Sequence, residues 1–480
     1  MGKRYLSLDF LRGLSIFGMI FSAIVPYGVL PAWMYHIQNP PPAHTLDMSV
    51  PGIGWVDLVF PVFIFCMGTA IPLSGRNGLQ KRMGKSPTNA SLAYVKGVVG
   101  RFIRLWAFSY LYVLLNYANV EGFWPQFFTL VGFGTLFLIY CKYQNRLLRY
   151  SGIALAVAII AVGHFCFGEV VTLQRRGIII FLLAFLYLDG SLIWYFTRNR
   201  LGIRALVFAL LFIFTHITRM LDWPAITYAN PNIRWWFNME YFYFLLLLIP
   251  ATVVGDILAK AGDVGYKSLS VSAGADSAGS SVSQQESGRK SIAVSEHLLY
   301  PSMLLFVVWQ CYALYMGITL ANVVVTLLYM GSIILLSGRK DKNRRTLLLM
   351  AGVLIVWGVV FSAIEGGIKK VPCTISYCLA TCGISILLLF VADYICKWLP
   401  GSLFVKVFSG AGQNPLMSYI AFDSLVVPLM KITGIIHLYN SLYTAPDGNV
   451  ALGLLRAAAA VFFTMWLVSC FSRKGVFWKA

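Results

Sequence analysis

Long apolar stretches separated by short polar breaks fill almost the whole chain. Runs such as Leu206–Phe214 and Phe242–Val254 are apolar on every side. They have neither the period of two of a half-buried strand nor the single stripe of a surface helix. A helix rises 1.5 Å per residue, so about 20 apolar residues cross roughly 30 Å of hydrocarbon. By that measure spans are expected at 10–30, 53–74, 103–120, 124–141, 151–168, 177–196, 202–221, 239–258, 299–318, 320–337, 346–364, 372–395, 411–431 and 451–472. The pattern predicts an all-α polytopic transmembrane helical bundle of roughly 11–14 spans. A membrane β-barrel would instead show short segments of alternating polarity.

Composition supports that picture. Of the 480 residues, 59% are hydrophobic and 12% charged, whereas a soluble domain has about 45–50% and about 25%. A net charge of +20 would suggest nucleic acid in a soluble protein. Here the cations fall in the polar breaks. With the N-terminus in the cytoplasm, the inner side receives Lys3, Arg4 and Arg12, the 76–104 segment, Lys142, Arg146 and Arg149, Arg198, Arg200 and Arg204, the 258–298 segment, Arg339–Arg345, and Lys397 and Lys406. That is the positive-inside distribution, and it places both termini in the cytoplasm. The expected partner is the lipid bilayer, with no nucleic acid. The first apolar stretch can span and no A-x-A cleavage site follows it, so it reads as an uncleaved first helix.

One segment breaks the pattern. Lys267–Glu296 is rich in Ser, Gly and Ala and has too little apolar bulk to bury a core. It divides the chain into an N-terminal bundle (1–258), a flexible cytoplasmic linker (259–298) and a C-terminal bundle (299–480). Two outer loops are large enough to build a site: Leu30–Ile53 and Asp222–Tyr241, both combining Pro, aromatic and polar residues.

Several familiar chemistries are missing. The nine cysteines include no CxxC pair, and the cluster Cys373, Cys378 and Cys382 has no neighbouring histidine, which argues against zinc or a disulfide framework. No metal site is expected. There is no Walker A, no dinucleotide fingerprint and no HExxH motif, which weakens an ATP-driven pump or a zinc protease.

What remains is histidine and intramembrane carboxylate. Of the six histidines, only His36 and His44 share an outer loop dense in Pro and polar groups. Histidine is the usual general base near neutral pH, although a lone loop histidine is more often a packing residue. His164 and His216 lie in or near spans, His437 in an outer loop, and His297 at the linker's end, where it should be solvated. Asp57, Asp189, Asp393 and Asp423 fall in apolar stretches, where a carboxylate is costly and so a functional candidate. Asp9 and Arg12 are spaced for a local i,i+3 ion pair. Glu365 marks an outer helix end and should touch water. Gly412–Pro415 interrupts a helical segment. It reads either as a cavity-lining break or as a helix start with Asn414 capping and Pro415 at the first position.

The N-terminal block carries a more specific signal. Arg4–Gly13 reads RYLSLDFLRG, a loop with PAWMYHIQ follows, and Asp57–Gly68 reads DLVFPVFIFCMG. Over roughly residues 4–75 this resembles the heparan-α-glucosaminide N-acetyltransferase family, including its bacterial relatives. FWPQFFTLVGFGTLF, IPATVVGDIL and GAGQNPLMSY are similar to bacterial members further on. The resemblance implies acetyl transfer from cytosolic acetyl-CoA to an amino sugar, a glucosaminide-like glycan, on the outer face of a bacterial inner membrane. By position His36 matches the family's catalytic histidine, with His44 as the fallback. Two positions depart from the family: QNPPPAHTLDMSVPG replaces a W-N-G after the histidine, and Ser22 or a neighbour stands where an Asn is usual. These bear on the identity of the acceptor.

The expected roles follow. Asp57 would orient His36. Arg12, Arg101 and Arg104 would meet the phosphates of acetyl-CoA. His44 and Asn414 would contact the acceptor. A homodimer is the oligomer kept in view. The competing expectation is a transporter or flippase for a sugar or lipid-linked saccharide, without acyl transfer.

Overall fold

The computed structural model describes residues 5–83, 87–141, 146–223, 230, 239–263, 294–336, 341–445 and 447–479. Of the expected linker 259–298, residues 264–293 lie outside the described residues and the ends are helical, continuing to Asp263 and resuming at Val294; most of the expected outer loop, 224–238, also lies outside the described residues. Among the described residues there is no strand; one isolated bridge pairs Cys141 with Trp478.

Fourteen helices among the described residues are long and apolar enough to cross a membrane. We name α1 (Leu6–Ile24), α2 (Trp55–Met83), α3 (Pro87–Leu114), α4 (Phe123–Tyr140), α5 (Arg146–Phe167), α6 (Ile178–Thr197), α7 (Leu201–Met220) and α8 (Leu245–Asp263). The second half contributes α9 (Val294–Tyr315), α10 (Thr319–Leu336), α11 (Lys342–Ile364), α12 (Ile375–Trp398), α13 (Leu403–Gln413), α14 (Pro415–Ile432) and α15 (Val450–Arg473). Each expected span coincides with one of these, so the chain is an all-α polytopic membrane protein.

Several boundaries shift by five residues or more, among them the end of the second span, which runs on to Met83 rather than stopping near 74. The first span ends at Ile24 rather than near 30, because Val25 precedes Pro26 and is forced into extended geometry. The third begins at Pro87 rather than near 103, with proline taking a first-turn position where no amide partner is needed.

Enclosure follows composition. Every residue from Cys373 to Leu387 is buried, as suits a helix apolar on all sides at the centre of a bundle. α12 is surrounded by α1, α2, α8, α9 and α11. One core cluster runs from Leu8 in α1 to Met465 in α15, so helices on both sides of the linker share it.

Two features fix part of this core. At the crossing of α1 and α13, a Cβ on Gly13 would collide with the Phe408 carbonyl and one on Gly412 with the Asp9 carbonyl. Only glycine at both positions lets these backbones meet, the usual device where helices approach closely in lipid. Nearby, Asp256 of α8 accepts from Arg76 of α2 (2.7 Å) and Arg204 of α7 (2.7 Å), and from the Trp194 indole of α6 (3.3 Å). A carboxylate at this depth is tolerated because it is paired.

Segment 403–432 is a broken helix. Asn414 separates α13 from α14, and α14 contains a π-helical stretch, Phe422–Val426. Pro415 does occupy a first-turn position, but the Asn414 side chain makes no capping bond.

Candidate functional site

The loop between α1 and α2 turns through a short 3-10 segment, Ala32–Met34, and delivers His36 beside the first turn of α2. His36 Nδ1 lies 2.8 Å from Asp57 Oδ1. Asp57 is almost fully enclosed, with 4% of its side chain exposed, whereas the His36 side chain is 37% exposed. The second carboxylate oxygen, Oδ2, accepts from the Gly54 amide (3.1 Å) and the Ile37 amide (3.4 Å). A carboxylate satisfied in this way at a helix N-terminus is held as the anion by both hydrogen bonds and the helix dipole. An anionic Asp57 assigns the proton to His36 Nδ1, which leaves Nε2 as the basic ring nitrogen.

A third group comes from the opposite half of the chain. Lys370 Nζ stands 3.2 Å from His36 Nδ1, 3.4 Å from Nε2 and 4.0 Å from Asp57 Oδ1. With Nδ1–H committed to Asp57, the acceptor open to Lys370 is Nε2. Burial pulls the Lys370 ammonium below its usual range, and the charge of Asp57 opposes that shift. The cluster therefore couples one carboxylate, one imidazole and one cation, whose fields on the ring act in opposite directions.

The scaffold of Lys370 is dense in hydrogen bonds. Thr374 closes the turn: its amide (3.1 Å) and hydroxyl (3.0 Å) both donate to the Lys369 carbonyl, and its Oγ1 accepts from the Lys369 amide (3.1 Å). Gln38 pairs with Val371, accepting from its amide (2.8 Å) and donating to its carbonyl. Tyr377, in the first turn of α12, donates to the Asp57 carbonyl (2.6 Å). Gly52 donates to the Ile368 carbonyl (2.7 Å). Glu365 is not the water-facing group expected. Only 3% of its side chain is exposed, and its two oxygens accept from the Ile375 and Ser376 amides at 2.9 Å each. It serves the start of α12, whose first amides have no partner within the helix.

The other expected site residues are elsewhere. His44 does not reach Asp57; its ring lies 3.8 Å from that of Tyr27 and 4.5 Å from that of Tyr35, centroid to centroid. Asn414 is buried and holds the C-terminal tail, donating to the Val476 carbonyl (3.1 Å) and accepting from the Trp478 amide (3.2 Å). Arg12 forms the local pair with Asp9 (3.2 Å) and also donates to the Gly412 (3.1 Å) and Cys66 (3.3 Å) carbonyls, so its fork is committed to helix packing. Arg101 lies over the Tyr187 ring at 4.5 Å. Arg104 has Arg101 and Arg149 as like-charged neighbours. That trio on α3 and α5 fits a phosphate better than Arg12 does.

Sequence reasoning missed Lys370, Gln38 and Tyr377. The signal for Lys370 was present: Lys369 and Lys370 are adjacent cations in a loop that the sequence assigns to the outer side, where the positive-inside trend leaves few. Gln38 and Tyr377 are ordinary residues whose role depends on a fold that joins distant segments. Among the described residues, no group of three His, Cys, Asp or Glu side chains is arranged to hold a metal.

No curated protein matches the chain in sequence. The model of a family described as a domain of unknown function, DUF5009, matches residues 4–258. That stretch runs from α1 into α8, includes both His36 and Asp57 and covers more than half of the 480 residues, and the chain belongs to that family.

Proposed function

We propose that the protein is a transmembrane acetyltransferase that passes an acetyl group from cytosolic acetyl-CoA to the amine of an amino sugar, a glucosaminide-like glycan, at the outer face of a bacterial inner membrane. The observation that supports this reading best is the His36–Asp57 pair, a partly exposed imidazole 2.8 Å from an enclosed carboxylate. It lies in the N-terminal block that resembles the heparan-α-glucosaminide N-acetyltransferase family.

Acetyl-CoA would supply the activated thioester. Arg101 and Arg104, with Arg149 beside them, are the side chains suited to its phosphates. At the other end, His36 Nε2 takes the proton from the acceptor amine. The amine forms the new C–N bond as the thioester C–S bond breaks, and the proton passes from Nε2 to the departing thiolate. Asp57 holds the ring in the required tautomer and stabilises the transient imidazolium. Lys370 opposes that imidazolium in the resting site and offers an N–H to oxygen that becomes negative during attack.

The test is acceptor-dependent CoA release. Purified wild type and His36→Ala are given acetyl-CoA and a glucosaminide. Release that needs the acceptor and falls about 10²–10⁴-fold in the variant supports a His36-dependent transferase. A folded protein that binds saccharide yet releases no CoA with any amine would overturn it.

A second reading, a sugar or lipid-linked saccharide transporter, draws on a different feature. The broken helix 403–432 borders a small cavity of about 160 Å³ lined by Asp423, Tyr112, Tyr419 and Asn116. Broken helices and intramembrane carboxylates are common on solute paths. Saccharide uptake into liposomes that survives His36→Ala would favour this reading.

A further inference from the structure

A second, much larger space adjoins the His36 site. A cavity of about 780 Å³ lies between α1, α2, α9 and α12, with Trp33 and Gly54 at one end. Gly54 is the residue whose amide donates to Asp57, so cavity and cluster share a wall.

The cavity runs down from that wall. Along α9 its lining extends from Tyr315 to Leu304. At 1.5 Å per residue that is about 16 Å, roughly half of a 30 Å hydrocarbon core, or one leaflet. It is also open sideways. Leu304, Val308 and Tyr312 line it at helical spacing and are 47%, 58% and 50% exposed. Exposed apolar side chains at this depth face lipid.

Its lining offers little to a polar ligand. Ser15 is one of the few polar side chains there, and its hydroxyl already donates to the Arg12 carbonyl at 3.1 Å. The amides of a pantetheine arm or the hydroxyls of a sugar would lie in this cavity unpaired, at a cost of several kcal/mol each on the order of a desolvated polar group. A hydrocarbon chain would lose nothing.

We propose that this groove seats the hydrocarbon chain of the acceptor, and that the acceptor is an amphiphile of the outer leaflet whose amine-bearing headgroup is presented to His36. The inference rests on the acetyl-transfer reading for the headgroup, but the chain site is defined by the groove itself. Lipid tails are as apolar as leucine, so seating a chain here gains little hydrophobic energy over the bilayer. The advantage is geometric. The chain enters laterally between α9 and α1, and its headgroup is confined within reach of His36 instead of diffusing from bulk water.

The experiment uses the full chain in phospholipid vesicles with acetyl-CoA, comparing methyl and hexadecyl glucosaminide as acceptors. The expected result is a kcat/KM at least about ten-fold higher for the hexadecyl compound, the local-concentration advantage of a tethered headgroup. Leu304→Trp and Val308→Trp, at exposed positions that tolerate bulk, should lower the hexadecyl rate about ten-fold more than the methyl rate. Equal kcat/KM for the two acceptors, or variants that lower both rates equally, would overturn the proposal.

A second readout separates this inference from the transferase reading. A hexadecyl glucosaminide carrying a photoreactive diazirine in its chain is cross-linked and the modified peptide identified. Labelling within Val294–Tyr315 that excess hexadecyl glucosaminide displaces supports the chain site even if neither acceptor is acetylated, in which case the transferase reading alone fails. Labelling elsewhere, or labelling displaced equally well by added phospholipid, marks the groove as an ordinary lipid contact and overturns the proposal.

Discussion

Gln38 and Val371 are paired at two points across 333 residues of chain, the Gln38 amide accepting from the Val371 amide and donating to its carbonyl. Through this clamp the loop that carries His36 and the loop that carries Lys370 become one surface. Gln38→Ala leaves the half-buried N–H and C=O of Val371 without this partner. The expected loss is about 1–3 kcal/mol of stability. On the proposed acetyl-transfer reading CoA release should fall as well, through Lys370, and thermal unfolding measured beside it would show both. A stability loss with turnover unchanged would separate the clamp from the site.

Asp57 carries a different share of the work. Asp57→Asn keeps the shape of the side chain but removes the charge that fixes the His36 tautomer. Turnover should drop about 10²–10⁴-fold, comparable to loss of the imidazole itself, because the ring can then present the wrong nitrogen. Because the two residues act as one unit, the double variant His36→Ala/Asp57→Asn should be hardly worse than His36→Ala alone. Full additivity of the two losses would refute the coupling.

Lys370 predicts a pH dependence. Its folded value lies below the ordinary 10.5, with burial as the cause. Between the lowered value and 10.5 the unfolded chain binds more protons than the folded one, so this group makes stability rise with pH across that window. Below the window the ammonium imposes its full cost. Lys370→Met, which has no such group, should therefore be most stable relative to wild type below that window and lose that advantage as pH approaches 10.5. Melting temperatures of the two proteins over that range are the measurement. A constant difference would show that Lys370 is not depressed.

Asn414 gives a test of what it does not do. Its amide is spent on Val476 and Trp478. Asn414→Ala should release the C-terminal tail, read as faster proteolytic trimming there, and leave the KM for a glucosaminide unchanged. A raised KM with an intact tail would restore the contact to acceptor expected from the sequence.

The fourteen spans were legible because each is a long apolar run between polar breaks, a signal that needs no tertiary information. His36 and Asp57 were legible because both belong to one compact N-terminal block. The rest depended on contacts that no local pattern encodes. Lys370 meets His36 from the far half of the chain, and Glu365 looked solvated because nothing nearby reveals that its oxygens cap α12. Arg12 looked like a ligand for phosphate; its pairing with Asp9 was legible from the i,i+3 spacing, but its two other partners are the Gly412 and Cys66 carbonyls, which carry no side-chain signature. Asn414 was recognisable as the site of a break, but its partners are in the tail, some sixty residues away.

The glycine crossing is the simplest part of the fold to challenge. Gly412→Ala brings a methyl group onto the Asp9 carbonyl, with backbone rather than a flexible side chain in the way. The loss should be about 1–3 kcal/mol or more, as for other overpacked sites. Gly331→Ala in α10 meets nothing within reach and removes a helix-weakening glycine, so its melting temperature should match or exceed wild type.

That same crossing has a mechanical meaning. Two helices whose backbones touch through paired glycines cannot slide along each other without lifting apart. α1 runs outward into the loop of His36, and α13 runs into the break at Asn414 and on to Asp423. Through this crossing the helix that precedes the loop of His36 and the broken segment 403–432 are held in backbone contact, so the placement of one fixes the placement of the other.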